Sequence, residues 1–335
     1  MEGNSRELRL IYNLRSGHPG KKDGAPFDVD ADWDIPDTIS HIKKTLEKVG
    51  FNVIDICCDQ EIVTKLAASD SLVFSICEMV GGAYREALIP SLCEILGIPY
   101  VFSRPDVMVK TLDKNLCNLV VQQSQINVPD WIYIKSIEDV EALTCLNKYP
   151  YIVKPAFEGS GMGISDQSVL SSYTELVHRV DYTISTYKQP VLVQRYIDGI
   201  ELTVGILGKG TTIEVLAPVE VHLPYSKVYG YEQKENASTQ ASYSISTNDL
   251  INKEIMAISR KIYQVLGCRD AARMDFRFDT KSAMLYFIEV NPLPHLHPEL
   301  GDFCRSAYGA GYSYETLLKK ICNHAISRSS SYNTI

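Results

Sequence analysis

The stretch Arg273-Met274-Asp275-Phe276-Arg277-Phe278-Asp279, followed by Leu285-Tyr286-Phe287-Ile288-Glu289-Val290-Asn291-Pro292-Leu293-Pro294, decides the fold. It reads as two strands separated by a polar turn at Thr280–Ala283. Side chains alternate faces along a strand, so Arg273 shares a face with Asp275, and Glu289 shares one with Asn291. Paired as a hairpin, the strands bring two carboxylates and a carboxamide together beside an arginine. Hard oxygen ligands of this kind suit Mg²⁺, which takes one or two protein carboxylates and leaves the rest of its shell to phosphate oxygens and water. The arginine is then placed to neutralise a reacting phosphate or oxyanion. Taken alone, the stretch is equally a surface hairpin with solvated acids.

Bulk properties narrow the field. A chain of 335 residues suffices for two or three domains with real cores. Hydrophobic content of 45% and charged content of 22% are those of a soluble globular protein. A net charge of −8 argues against a nucleic-acid partner, which needs a basic face. No apolar run reaches membrane-spanning length and the N-terminal residues hold no apolar signal core, so a cytoplasmic protein with no membrane partner is expected. The nine cysteines form no CxxC pair and sit mainly in apolar runs, as small buried hydrophobes do in a reducing compartment.

The first hundred residues alternate strand and helix. Strands are expected at 8–14, 51–56 and 71–77, with helices at 35–50 and 87–96 and a further apolar run at 98–102. This βαβ rhythm implies a parallel sheet with ligand loops at the carboxyl ends of its strands. The loop 16–33 is rich in Gly, Pro, Lys and Asp; it is a surface loop or part of a substrate lid, and the plainer alternative is favoured. Further on, a helix is expected over 111–120, strands at 131–134 and 151–155 with a helix over 137–146 between them, then two strands in 190–207 around a turn at Asp198-Gly199. A polar stretch at 225–248 precedes a helix over 250–266, and a helix over 312–325 leads to a frayed Ser-rich end at 327–333.

Val153-Lys154-Pro155-Ala156-Phe157-Glu158-Gly159-Ser160-Gly161-Met162-Gly163-Ile164 is a strand that ends in a glycine-rich turn. Glycines let backbone N–H groups approach an anion closely, Ser160 adds a hydroxyl, and Lys154 can reach the same phosphates. The stretch is no Walker loop, which needs GxxxxGK[ST], and it does not open a helix as a dinucleotide fingerprint does. A lone glycine-rich turn is weak evidence. One with a strand lysine before it and a carboxylate hairpin downstream is stronger.

These motifs occur together in a known order. Lys154-Pro155 with Glu158-Gly159-Ser160 and Gly163-Ile164, then Ile197-Asp198-Gly199-Ile200-Glu201-Leu202-Thr203-Val204, then Arg273–Phe276 and Glu289–Pro294, resemble the ATP-grasp carboxylate–amine ligases, and within them the D-alanine–D-alanine ligase branch. Thr111–Lys114 and the run 74–90 resemble that branch's earlier motifs. The resemblance implies an ATP-grasp fold, α/β and partly α+β, with three units: a parallel α/β unit at 1–103, a central unit at 104–193 carrying the glycine-rich loop, and a C-terminal unit at 194–335 with the metal site and a lid at 225–248. It implies that Lys114 and Lys154 hold the nucleotide phosphates, with Glu158, Gly159 and Gly161 of the loop folded over them and Ser160 taking part in catalysis. Gln194, with backbone groups of Arg195 and Ile197, would line the adenine slot, and Glu201 would bind ribose. Lys234 would reach the γ-phosphate from the lid. Asp275, Glu289 and Asn291 would bind two Mg²⁺, and Arg273 would stabilise the oxyanion. It further implies a homodimer acting on an amino acid and a carboxylate-like co-substrate.

The chemistry implied is transfer of the γ-phosphoryl of ATP to a carboxylate oxygen, then attack by an amine and release of phosphate. The substrate positions depart from the branch. The N-terminal strand runs into Asn13–Gly20 without the glutamate expected to hold an amino group, and the tyrosine expected after the lid lysine is Glu235. The glycine after Asn291-Pro292-Leu293-Pro294 is His295, and Leu296–Asp302 replaces a serine-rich stretch. His295 and His297 therefore shape the acceptor pocket or pack passively; as an H-x-H pair they are too few for a metal site. Glu78, Arg85 and Glu86 are candidate substrate contacts, with a local Arg85–Glu86 ion pair as the plainer alternative. The expected function is an ATP-dependent ligase with a substrate other than plain D-Ala-D-Ala. The alternatives are a mycosporine-type ligase adding an amino acid to a cyclohexenone as an imine, a true D-alanine–D-alanine ligase, and a non-catalytic nucleotide-binding protein.

Overall fold

Strand β1 (Arg6–Tyr12) lies between β2 (Phe51–Cys57) and β3 (Leu72–Ser75), all three parallel. The computed structural model describes residues 6–235 and 241–329, without the side chains of Glu235 and Ser329; the end of the Ser-rich tail, from 330, lies outside the described residues. Helix α1 (Pro36–Lys48) buries Ile39, Ile42 and Leu46, a three-to-four-residue stripe, against Leu8 and Leu10 of β1. Helix α2 (Ile62–Ala67) and helix α3 (Leu88–Leu96) cover the other face, and α3 stops at Gly97 in the left-handed region. The run 98–102 adds only a single bridge between Tyr100 and Val73.

The helix expected over 111–120 is two helices, α4 (Pro105–Leu112) and α5 (Lys114–Gln123). Asp113 breaks them: its backbone is extended and its carboxylate caps α5 by accepting the Leu116 N–H at 3.0 Å. Lys114 thereby stands on the first turn of α5.

The second sheet is antiparallel, ordered β4-β7-β5-β6, from β4 (Trp131–Ile134), β5 (Tyr151–Pro155), β6 (Val169–Leu170) and β7 (Val191–Arg195). Helix α6 (Tyr173–Tyr187) packs on it through Leu176 and Val180. The expected helix over 137–146 is a 3₁₀ segment, Ile137–Cys145.

The third sheet is ordered β11-β10-β8-β12-β13, with β9 also on β8. Its strands are β8 (Ile200–Gly208), β9 (Glu214–Val215), β10 (Val219–His222), β11 (Ser242–Ile245), β12 (Asp270–Asp279) and β13 (Met284–Asn291). β7 and β8 are consecutive yet belong to different sheets, so the turn at 198–199 carries the chain from one to the other. At Gly199 a Cβ would stand 2.0 Å from the Phe278 carbonyl oxygen, which excludes any side chain there. Helix α7 (Tyr231–Glu235) lies in the stretch 225–248. Helix α8 (Asp249–Leu266) is capped by Asn248 and ends at Gly267.

Helix α9 (Asp302–Gly309) was not expected from the sequence, and helix α10 (Tyr314–Ser329) follows it. Fully buried Phe303 on α9 packs where β8 has Gly205, whose Cβ would fall 2.9 Å from the ring. The N-terminal and C-terminal parts are joined at Asp270, which accepts the Phe102 N–H at 2.9 Å and pairs with Arg328 of α10. The deciding hairpin forms as read, β12 on β13, with Arg273 opposite Asn291 and Asp275 opposite Glu289. Phe276 then pairs with Phe287, so Ile288 is a bulge residue.

Candidate active site

The hairpin supplies an ionic centre. The Arg273 guanidinium donates to Asp275 from Nε at 3.0 Å and from Nη2 at 2.9 Å, and Nη2 lies 3.4 Å from Glu289 Oε1. Thr203 on the neighbouring strand β8 donates its hydroxyl to Asp275 Oδ1 at 2.7 Å. Burial lifts Asp275 to about 6, against the pull of Arg273. Burial would raise Glu289 as well, but Lys114, Arg273, Lys234 and Lys154 together hold it at about 2. Asn291 accepts the Leu293 N–H at 3.0 Å, which fixes the start of the segment after β13. Two carboxylates and an amide are the modest protein share Mg²⁺ takes, so these donors fit it. Among the described residues no cluster of three or more His, Cys, Asp or Glu offers a site for a softer metal.

A cleft lies between the second and third sheets. Lys114, Lys154, Glu158, Gly159, Gly161, Gln194, Arg195, Ile197, Glu201, Lys234, Asp275, Ile288 and Glu289 all line it. Burial brings Lys154 down to about 8, and its ammonium donates to Gln194 Oε1 at 3.1 Å. Gln194 lines the cavity, and its Nε2 is buried with no hydrogen-bond partner among the described residues. Lys114 donates to the Glu158 carbonyl and so tethers the glycine-rich loop. Glu201 is not free: it pairs with Arg277, which also donates to the carbonyls of Ile197 at 3.1 Å and Lys227 at 2.9 Å. In the loop, Ser160, Gly161 and Gly163 have φ of +49°, +75° and +72°. A Cβ on Gly161 would stand 2.7 Å from the Tyr231 nitrogen, so the loop meets the 225–248 stretch backbone to backbone.

A second cavity adjoins the first at Tyr229 and Lys234, which line both. Ser160, Arg273 and Asn291 line it together with Arg15, Asp32, Asp34, Glu78, His295, Asp302 and Arg305. Desolvation at the cavity wall lowers the His295 imidazole, with His297, Arg15 and Arg273 adding to it, although the ring stays partly open to solvent. Arg305 lies flat on the Tyr243 ring, 3.9 Å from its centroid. Three expected substrate contacts, Arg85, Glu86 and His297, do not line this cavity, and Glu86 is buried. Arg85 is consumed by Asp32 at 2.7 Å, Glu158 at 3.2 Å and the Phe157 carbonyl, not by Glu86. His297 is buried; its Nδ1 accepts the N–H groups of Glu299 and Leu300 at 3.2 Å, which leaves Nε2 to donate to Asp37. Asp34, Arg15 and Arg305 were not foreseen, because each reaches the cavity from an element remote in sequence.

The family described as D-ala D-ala ligase C-terminus matches residues 120–323. A D-alanine–D-alanine ligase of Aquifex aeolicus is 33% identical over 285 residues, covering 84% of this chain and 91% of its own. The chain belongs to the D-alanine–D-alanine ligase family. It is an ATP-grasp enzyme, an ADP-forming, ATP-dependent carboxylate–amine ligase of that type. A D-alanine–D-alanine ligase of Wolbachia is 30% identical over 293 residues, 85% of this chain and 87% of its own. Among solved structures, the ATP complex of the D-alanine–D-alanine ligase from Bacillus anthracis superposes with a TM-score of 0.75 at 21% identity, covering 98% of this chain and 100% of its own. The VanG D-Ala:D-Ser ligase from Enterococcus faecalis follows at 0.72 and 19%, covering 96% and 99%. Both establish the ATP-grasp fold. No helix among the described residues is long and apolar enough to cross a membrane.

Proposed function

We propose that this ligase activates the carboxylate of one small substrate and joins it to the amine of an amino acid, with a substrate pair other than two D-alanines. The observation that carries the reading is the second cavity. It opens onto the nucleotide cavity beside Lys234 and Arg273, and its walls alternate cations and acids, which suits zwitterionic amino acids. Its walls differ from the branch where an acceptor would sit: His295 occupies the place of a glycine, and α9 begins where a serine-rich stretch is expected.

In this reading Lys114 and Lys154 neutralise the phosphates, Glu158–Gly163 folds over them, and Lys234 reaches in from the lid. Gln194, Arg195 and Ile197 border the base, while Glu201, already paired with Arg277, accepts ribose hydroxyls. Arg273 is aimed at the oxyanion that forms when an amine attacks the activated carboxylate, and Ser160 closes the reacting end. Two Mg²⁺ ions, held by Asp275, Glu289 and Asn291, would spread the charge of the transferring phosphoryl group. A lid is needed because an acyl phosphate hydrolyses in water. The three-unit division at 103/104 and 193/194 and the homodimer rest on the family resemblance; β7 runs to Arg195, two residues past the second boundary.

The test is ADP release from Mg-ATP with a panel of D- and L-amino acids, singly and in pairs. Release with a pair other than D-alanine alone supports the proposal; release confined to D-alanine makes this a plain D-alanine–D-alanine ligase. His295→Gly is expected to change which acceptor is used while leaving the KM for ATP unmoved.

A further inference from the structure

The loop 16–33 reads as a plain surface loop, yet its second half is interior: Asp28 is 1% exposed, Asp30 4% and Ala31 5%. Asp28 Oδ2 accepts the Gly163 N–H at 2.7 Å, and the Tyr187 hydroxyl donates to the same carboxylate at 3.0 and 3.1 Å. Arg179 holds the Gly163 carbonyl at 2.8 Å from the other side, so Gly163 is gripped at both backbone atoms. At the other end of the glycine-rich loop, Asp32 shares Arg85 with Glu158, and Arg85 also holds the Phe157 carbonyl. A Cβ on Gly159 would meet Asp32 Oδ1 at 3.0 Å, so the two segments touch. The segment is itself braced: Arg15 donates to the Trp33 carbonyl at 2.8 Å and the Ala31 carbonyl at 3.2 Å, and Trp33 Nε1 donates to the Met79 carbonyl at 3.0 Å.

We propose that residues 15–34 form a strap that sets the position of the nucleotide loop 158–163, with Asp28 as the positioning residue. The inference rests on the reading of 158–163 as the phosphate loop. A loop with left-handed backbone at Ser160, Gly161 and Gly163 has many backbone states, and only some aim its N–H groups inward. A carboxylate oxygen that accepts a backbone N–H at 2.7 Å fixes the direction of that amide, and here it selects one of those states before ATP arrives. Asp28 touches no reacting atom; it acts through Gly163.

The full-length chain tests this with three variants. Asp28→Ala is expected to raise the KM for ATP and the dissociation constant of a Mg-bound non-hydrolysable ATP analogue roughly tenfold, with kcat changed less than about threefold. Asp28→Asn keeps an oxygen for the Gly163 N–H and is expected to stay within about threefold of the parent. Tyr187→Phe removes the outer hydroxyl and should fall between them, and it carries the test should Asp28→Ala fail to fold. Hydrogen exchange of segment 157–164 without ligand should quicken in Asp28→Ala and not in Asp28→Asn. A lower melting temperature with unchanged affinity for the analogue, or Asn as damaging as Ala, overturns the strap. Failure of the parent protein to bind the analogue overturns the phosphate-loop reading, and the strap with it.

Discussion

Arg273→Ala should separate chemistry from nucleotide binding. Arg273 lines the second cavity and not the first, although its carboxylate partners Asp275 and Glu289 line the first. Losing a preorganised donor to an oxyanion typically costs about 10²–10³ in kcat, or roughly 2.7–4 kcal/mol of barrier. ATP affinity, measured by calorimetry with the non-hydrolysable analogue, should move less than about threefold, since no phosphate contact is removed. The variant also strips the buried counter-charge from Asp275 and Glu289, held at 2.9 and 3.4 Å. Breaking a buried pair costs about 3–5 kcal/mol, so the ligand-free protein should melt early. Mg²⁺ with nucleotide supplies replacement positive charge and should recover part of the loss. Arg273→Lys retains the charge without the two-pronged fork, so it should recover stability better than rate. The reasoning is refuted by equal losses in kcat and ATP affinity, or by turnover within tenfold of the parent.

Lys154, lowered by burial to about 8, is half protonated near pH 8. Polyphosphate favours the charged form and pushes the pKa back up, so ATP binding at pH 8 should take up about half a proton from this group, and little at pH 6.5. Calorimetry in buffers of different ionisation enthalpy reads this directly, and Lys154→Met should abolish the difference between the two pH values. Gly161→Ala places a methyl 2.7 Å from the Tyr231 nitrogen at a φ of +75°, so the loop cannot keep its backbone contact with the start of α7; the KM for ATP should rise at least tenfold while the remaining fold melts within a few degrees of the parent. Phe303→Ala leaves a hole beneath β8 and should destabilise by about 3–5 kcal/mol in chemical denaturation while the KM for ATP is kept.

The sequence exposes the parts of this site that obey short-range rules. Strand alternation alone puts Arg273, Asp275, Glu289 and Asn291 together, and the glycines of 159–163 announce a loop that approaches something closely. What stays hidden depends on pairs distant along the chain. Nothing local marks Asp28 as the partner of Gly163, 135 residues away, or sends Arg85 to Asp32 in preference to its neighbour Glu86. The 111–120 helix is misread because Asp113 is judged a helical polar residue when its side chain is a cap. α9 escapes notice because Leu296–Asp302, rich in Pro and Gly, conceals the start of a helix whose apolar face is short.

One extra residue in β13 has a consequence for the evolution of this pocket. A regular strand offers a ligand every second position, and what lies between is turned away. By swelling at Ile288, the chain shows an oily group and an acid side by side, Ile288 and Glu289, both lining the first cavity. An apolar face and a carboxylate are thus supplied to one cavity from adjacent codons. Deleting that codon would restore a tidy ladder and slide one of the two out of reach, so this strand can trade residues but not its length.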